Sequence, residues 1–329
     1  MPGFAEVTFA SWVTPLLLLW SIFLLDLWLG DPVYRFHPIR LIGSLLIYLE
    51  RWLFARGWNG YTGGILLGLL LLGIVLGCYF LLQKLFGSLH LVLGWSLDLF
   101  LGYSLLALRD LEIHGLRVWR ATAEGNLMEA REEISQLVGR DVERLDLAGC
   151  NRATLESLSE NLSDGVVSPL IWLTLVGIPG MLAFKVISTM DSMVGYRNSR
   201  YLRFGWFGAR ADDLMNWVPA RLTWVLLSIS AWVLPGYDGR MAWSIGLSQH
   251  QYMSGPNAGW GQAASAGALR VQLVGEKWKN GRLQHNAWLG HSDDPAQVGA
   301  DSIARLIRLN RYATLLLLVI LSLLITVFN

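Results

Sequence analysis

The chain has 329 residues, of which 53% are hydrophobic and 16% charged, and its formal net charge is +1. Soluble chains carry about 25% charged residues, so the composition excludes an ordinary soluble domain, and the near-neutral balance gives no reason to expect a nucleic acid or another polyanionic partner. The two cysteines, Cys78 and Cys150, show neither metal-ligand spacing nor a disulfide framework, and the sixteen tryptophans suit the interfacial belts of a membrane protein.

The first apolar run, 12–29, has no Lys or Arg before it and no small-residue cleavage site after it, so it is expected to be an uncleaved span, not a signal peptide. A polar block follows, GDPVYRFHPIRLIG, with Asp31, Arg35, His37 and Arg40. Pro38 suits a first helical turn, which puts His37 at a helix N-terminus with Arg40 on the same face. His37 there is either a proton shuttle or a cap and packing residue. Runs 63–82 and 89–108 are further spans, and 312–328 is the last. All four reach the lower limit of ~17 apolar residues for crossing a bilayer. Segments 166–183 and 219–235 are marginal, because prolines interrupt or bound them.

Between the third span and 164 the chain is mixed in charge and helical in pattern. Leu127, Ile134, Leu137 and Val138 form an apolar stripe, and Gly139 is the expected stop. The stretch 236–301 is rich in Gly, Asn, His and Ser and is expected to be looser. Within it Pro256-Asn257 reads as a turn into a small-residue helix, with Asn257 as N-cap and the first-turn amides as an anion site; close helix packing is the competing use of its Gly and Ala residues. The expected fold is all-α: one polytopic membrane bundle over 1–329, carrying polar helices and loops.

Basic residues set the expected orientation. Arg35, Arg40, Arg51 and Arg56 follow the first span and none precede it; Arg109, Arg117 and Arg120 follow the third, and Arg305, Arg308 and Arg311 precede the last. The positive-inside rule then puts these segments in the cytoplasm. Two crossings between 164 and 305 would export Lys185, Arg197, Arg200, Arg203 and Arg210. The preferred arrangement therefore has none, with the two marginal segments as broken or re-entrant helices lining a cavity.

The polar residues concentrate in 156–221. Glu156, Glu160 and Asp164, spaced i, i+4, i+8, line one face if the stretch is helical, and such carboxylates suit Mg²⁺ as well as a solvated face. Asp191 lies in TMDSMVGYRN, and Asp212 and Asp213 follow Arg210. Neighbouring carboxylates need a cation or an arginine to stay ionised, so they point either to a metal–phosphate site or to a structural Arg–Asp network. Arg197, Arg200 and Arg210 carry planar donors that match phosphate or carboxylate oxygens, unless they serve as positive-inside flanks. No P-loop, dinucleotide fingerprint, nucleophile elbow or zinc-protease motif is present. These residue types point to a membrane enzyme acting on phosphorylated or carboxylated substrates at the cytoplasmic face.

Five ordered blocks, GDPVYRFHPIRLIG, ESLSENLSDGVVSPLIW, FKVISTMDSMVGYRN, RYLRFGWFGARADDLMNWVPARLT and GPNAGW, resemble the CobD/CbiB family, the adenosylcobinamide-phosphate synthases of cobalamin biosynthesis. The resemblance implies a multi-pass enzyme of the cell (inner) membrane. It would join adenosylcobyric acid to an amino alcohol phosphate, usually aminopropanol phosphate, through an ATP-dependent amide bond with Mg²⁺, and other late corrinoid-pathway membrane enzymes would be its partners. In that frame Glu156, Glu160 and Asp164 would serve as metal ligands, and Asp191, Asp212, Asp213 and His37 as catalytic groups. Arg197, Arg200, Arg210, Arg40 and Asn257 would hold phosphate or substrate. Ser188 stands where the family pattern leads one to expect Asn, and Met253-Ser254-Gly255 where a His-Pro-Ser approach is expected. Two rival classes are an AmpE-like membrane sensor and a Mg²⁺-dependent prenyl-type transferase.

Overall fold

The computed structural model describes residues 4–30, 34–279 and 281–328, so Asp31 lies outside the described residues. Helices dominate. In chain order they are α1 (Phe4–Leu29), α2 (Pro38–Phe54), α3 (Tyr61–Leu89), α4 (Leu91–Ser104), α5 (Leu108–Ala123), α6 (Leu127–Ser135), α7 (Leu147–Leu162), α8 (Ser168–Val176), α9 (Ile178–Val194), α10 (Trp206–Met215), α11 (Trp217–Val233), α12 (Gly239–Gln249), α13 (Ala258–Leu269) and α14 (Asp301–Phe328). A π-helical turn, Ser163–Val167, joins α7 to α8, and an antiparallel hairpin, β1 (Leu273–Lys279) with β2 (Arg282–Leu289), lies between α13 and α14. The helices over 61–89, 91–123 and 301–328 are long and apolar enough to cross a membrane, and shorter apolar helices cover 13–29 and 217–233. The chain is a largely helical membrane protein.

Two compact units share the chain. The first takes Met1–Ala107, Ser168–Asn216 and Ile320–Asn329. Its core follows from helical spacing: Ile42, Leu46, Leu49 and Leu53 recur along one face of α2 and pack with Leu67 and Leu71 of α3, Val186, Met190 and Val194 of α9, and Phe204. Gly63 and Gly64 open α3 to this contact, since a Cβ at either would sit 1.9 Å from a carbonyl oxygen, that of Trp58 or of Phe204. Asp98 on α4 accepts from Tyr79 and Gln83 of α3, each at 3.0 Å, so a carboxylate inside an apolar helix has partners. Gly177, at φ +73°, breaks the marginal segment into α8 and α9, with Pro179 in the first turn of the second piece.

The second unit takes Leu108–Val167 and Trp217–Val319. Asp146 caps α7, Asp238 caps α12, and Asn126 caps α6 while donating back to Glu129. Small residues bring α13 against its neighbours: a Cβ at Gly267 would meet the Met241 carbonyl at 2.3 Å, and one at Gly261 the Ser159 carbonyl at 2.7 Å. Buried Glu112 of α5 takes a bidentate pair from Arg311 of α14, at 2.8 and 2.6 Å.

Three expectations change. The helix starting at Leu127 ends at Ser135 with Gln136 as its C-cap, short of Gly139. The supposedly loose 236–301 stretch holds α12, α13 and the hairpin, and its Gly and Ala residues are packing surfaces. His37 and Arg40 do not share a face: Pro38 does open α2, but His37 is buried and Arg40 exposed.

Candidate active site

The first unit gathers an acidic cluster from α9 and α10. After α9 the chain runs through 195–205 and returns as α10 across the helix end. Glycines permit that approach: a Cβ at Gly205 would lie 1.8 Å from the Val194 carbonyl oxygen, and one at Gly208 would lie 2.8 Å from Met190 Cγ. Gly195 also leaves room for a carboxylate, since its Cβ would fall 2.1 Å from Asp191 Oδ1. Asp191 follows Met190, and Asp212 and Asp213 lie a turn beyond Gly208, so the same close packing brings the three carboxylates into one field.

Their electrostatics follow. Asp212 is pushed up to about 7, first by desolvation and then by Asp191; Asp213 adds to the rise, while the Asn216 hydrogen bond and Lys185 oppose it. Asp191 is raised by desolvation and by Asp213. Asp213 is raised by desolvation against the pull of Arg210 and Arg197. Asn216 donates to Asp212 Oδ2 at 3.0 Å and in turn accepts from the buried Ser168 hydroxyl. Asp212 Oδ1 is buried with no hydrogen-bond partner among the described residues. Lys185, in the apolar body of α9, is buried, and its positive charge acts on Asp212.

The arginines divide. Arg210 pairs with Asp213 at 3.3 Å, and exposed Arg197 is close enough to lower the same carboxyl. Arg200 is held elsewhere. Its Nη2 and Nε donate to Glu50 Oε1 at 2.8 and 3.3 Å, Tyr201 donates to the same oxygen at 2.8 Å, and the guanidinium stacks over Phe54. Glu50 on α2 is buried, so this network neutralises it and pins the 195–205 loop.

The second unit holds Glu156 and Glu160 in a different setting. Glu156 is buried; its Oε2 is paired with Arg140 and its Oε1 accepts from the Val274 N–H at 3.1 Å. Val274 adopts φ +69° to present that N–H, a costly conformation for a β-branched residue. Glu160 Oε2 accepts from Gln262 at 3.1 Å. Glu160 is accessible yet surrounded by protein, and desolvation raises it, Lys277 opposing, Glu156 adding and Arg140 opposing. Asp164, the third member of the expected acidic face, lies beyond the end of α7 at Leu162, in the π turn Ser163–Val167.

Mg²⁺, which the family resemblance brings in, fits the two clusters differently. Glu156 has both oxygens engaged and Glu160 one, which leaves little for a metal. The Asp191–Asp212–Asp213 cluster suits a cation better, because its carboxyls repel and a buried Asp212 oxygen lacks a partner. Among the described residues no group of three or more His, Cys, Asp or Glu is arranged to hold a metal by itself, so phosphate oxygens would have to complete the shell.

His37 N-caps α2 without a side-chain cap bond and packs edge-on against Tyr34, with ring centroids 5.2 Å apart. Arg40 is exposed on the first turn of α2, and no ion pair among the described residues ties it to the acidic cluster. Asn257 precedes α13 but makes no side-chain cap bond, in contrast to its expected role. Sequence reasoning passed over Glu50, Ser168, Arg140, Gln262 and Lys277, all of which act through partners distant in the chain. Lys185 did carry a signal, as a lone lysine inside MLAFKVIS.

The family described as CobD/Cbib protein matches residues 19–310. The "Cobalamin biosynthesis protein CobD" of Yersinia enterocolitica is 40% identical over 304 residues, covering 92% of this chain and 95% of that one. The protein of the same name from Geobacter metallireducens is 44% identical over 252 residues, 77% and 79% of the two chains. The "Cobalamin biosynthesis protein CbiB" of Salmonella typhimurium is 36% identical over 310 residues, 93% and 96%. No solved structure matches. With the family model matching residues 19–310 and relatives matching over most of both chains, the chain belongs to the CobD/CbiB family and has a role in cobalamin biosynthesis.

Proposed function

We propose that this chain joins adenosylcobyric acid to aminopropanol phosphate, or a related amino alcohol phosphate, consuming ATP and giving adenosylcobinamide phosphate at the cytoplasmic face of the cell inner membrane. The observation that carries it is the convergence of Asp191, Asp212 and Asp213, with buried Lys185 acting on Asp212 and with Arg197 and Arg210 acting on Asp213. Amide formation needs those two charge types together. A corrinoid carboxylate oxygen attacks the γ-phosphorus of ATP, ADP departs and an acyl phosphate forms. The amine nitrogen then attacks the acyl carbon, the C–O bond to phosphate breaks, and one proton leaves the nitrogen. Arg197, Arg210 and Lys185 offset phosphoryl charge as it moves. A carboxylate that titrates near 7 accepts the amine proton at neutral pH with little mismatch, and Asp212 meets that requirement. When bound, Mg²⁺ would supply charge neutralisation on phosphate oxygens, held by Asp191 or Asp213. Arg200 acts through the loop, because Glu50 already occupies its donors.

The test is reconstitution of the full chain in lipid nanodiscs with adenosylcobyric acid, ATP, Mg²⁺ and aminopropanol phosphate, followed by mass spectrometry. Amide product with stoichiometric ADP is expected. Product formed without ATP, or no amide with any amino alcohol phosphate, would overturn the proposal.

A further inference from the structure

A cavity of about 340 Å³ lies in the first unit between α2, α3, α4 and α9, lined by Ile42, Leu45, Ile74, Tyr79, Leu97 and Leu182 among other apolar residues. It is unrelated to the acidic cluster, and its lining offers a polar ligand almost nothing to bond to. Phe36, Pro38 and Leu41, where α2 begins, also line it, and Arg35 and Arg40 are the sequence neighbours of Phe36 and Leu41. Both arginines are exposed, and neither guanidinium has an ion pair among the described residues. Arg35 lies 5.7 Å over the ring of the lining residue Phe36. Two of the walls, α3 and α4, belong to helices long and apolar enough to cross a membrane, and α3 is buried over only 22% of its apolar window. Its remaining face is open to hydrocarbon, so the natural solvent of this cavity is an alkyl chain and not water.

We propose that this cavity holds one acyl chain of an anionic phospholipid, whose headgroup phosphate rests on Arg35 and Arg40. Both ends of the site ask for the same ligand. The apolar walls gain by burying methylenes, and the unbalanced arginines next to Phe36 and Leu41 gain by meeting an anion at headgroup level. A neutral lipid would satisfy the walls alone, and a free phosphate the arginines alone.

The full chain is placed in phosphatidylcholine nanodiscs with or without phosphatidylglycerol of identical acyl chains, and lipid retained through detergent extraction is followed by native mass spectrometry. Phosphatidylglycerol should be retained about ten-fold over phosphatidylcholine. Arg35→Gln should erase that preference, and Ile74→Trp should abolish retention of both lipids. Equal retention of the two lipids by the wild-type chain would overturn the proposal. So would retention unchanged by Ile74→Trp. Should that variant misfold, the wild-type preference and its loss in Arg35→Gln decide.

Discussion

In the unit that holds α7, Glu156 has both carboxylate oxygens engaged, by Arg140 and by the N–H of Val274. In the unit that holds α9 and α10, Asp212 has one oxygen on Asn216 and the other on no partner among the described residues, with two more carboxylates nearby. Both clusters arise from acidic residues in the family's own sequence blocks, and sequence alone treats them alike. Their surroundings separate them. A buried carboxylate with a cation and an amide is neutralised in place and serves the fold. One held among like charges near neutrality, with an oxygen to spare, is poised to bind a cation or take a proton.

Substitutions can break that contrast. The largest effect is expected at Asp212: Asp212→Asn should lower amide formation about 10²–10⁴-fold, the usual contribution of a positioned base, measured as product per minute in nanodiscs. Next comes Glu156→Ala, which strands Arg140 and the Val274 N–H and should destabilise the protein by about 3–5 kcal/mol. Thermal unfolding in detergent would register it, and any loss of activity should be matched by lost folded protein. An Asp212→Asn variant of normal activity, or a Glu156→Ala variant of normal stability, would erase the distinction between the clusters.

Much of this was legible in the sequence, for reasons that differ by element. The apolar runs appear as helices because length and composition suffice to specify them. Pro38 opens α2 and Gly177-Ile178-Pro179 breaks the marginal segment because proline and glycine act locally. The hairpin was not expected, because the polar composition of 236–301 reads first as loop. What stayed hidden is long-range. Glu50 meets Arg200 across 150 positions, and the Val274 N–H meets Glu156 across 118. Acidic spacing on a helix therefore could not tell a neutralised carboxylate from a poised one, nor could it foresee the π turn that carries Asp164. The glycines of FGWFGARADD did carry the clue: two small residues on one side of α10 mark a close crossing, and the aspartates a turn later go where that crossing takes them.

Burial and the neighbouring carboxylates raise Asp212 to about 7. The direct measurement is unfolding stability from pH 5 to pH 8 for the wild-type chain and for Asp212→Asn. The folded-state pKa, about 7, lies above the ordinary 3.8. The native protein therefore binds more protons across that window, and stability falls as pH rises through it, then levels off. Asn carries no such cost. The variant should gain on the wild type as pH rises, by a few kcal/mol in sum at the order-of-magnitude level, most of it below about pH 7. A stability difference that stays constant from pH 5 to pH 8 would show that Asp212 titrates in its ordinary range.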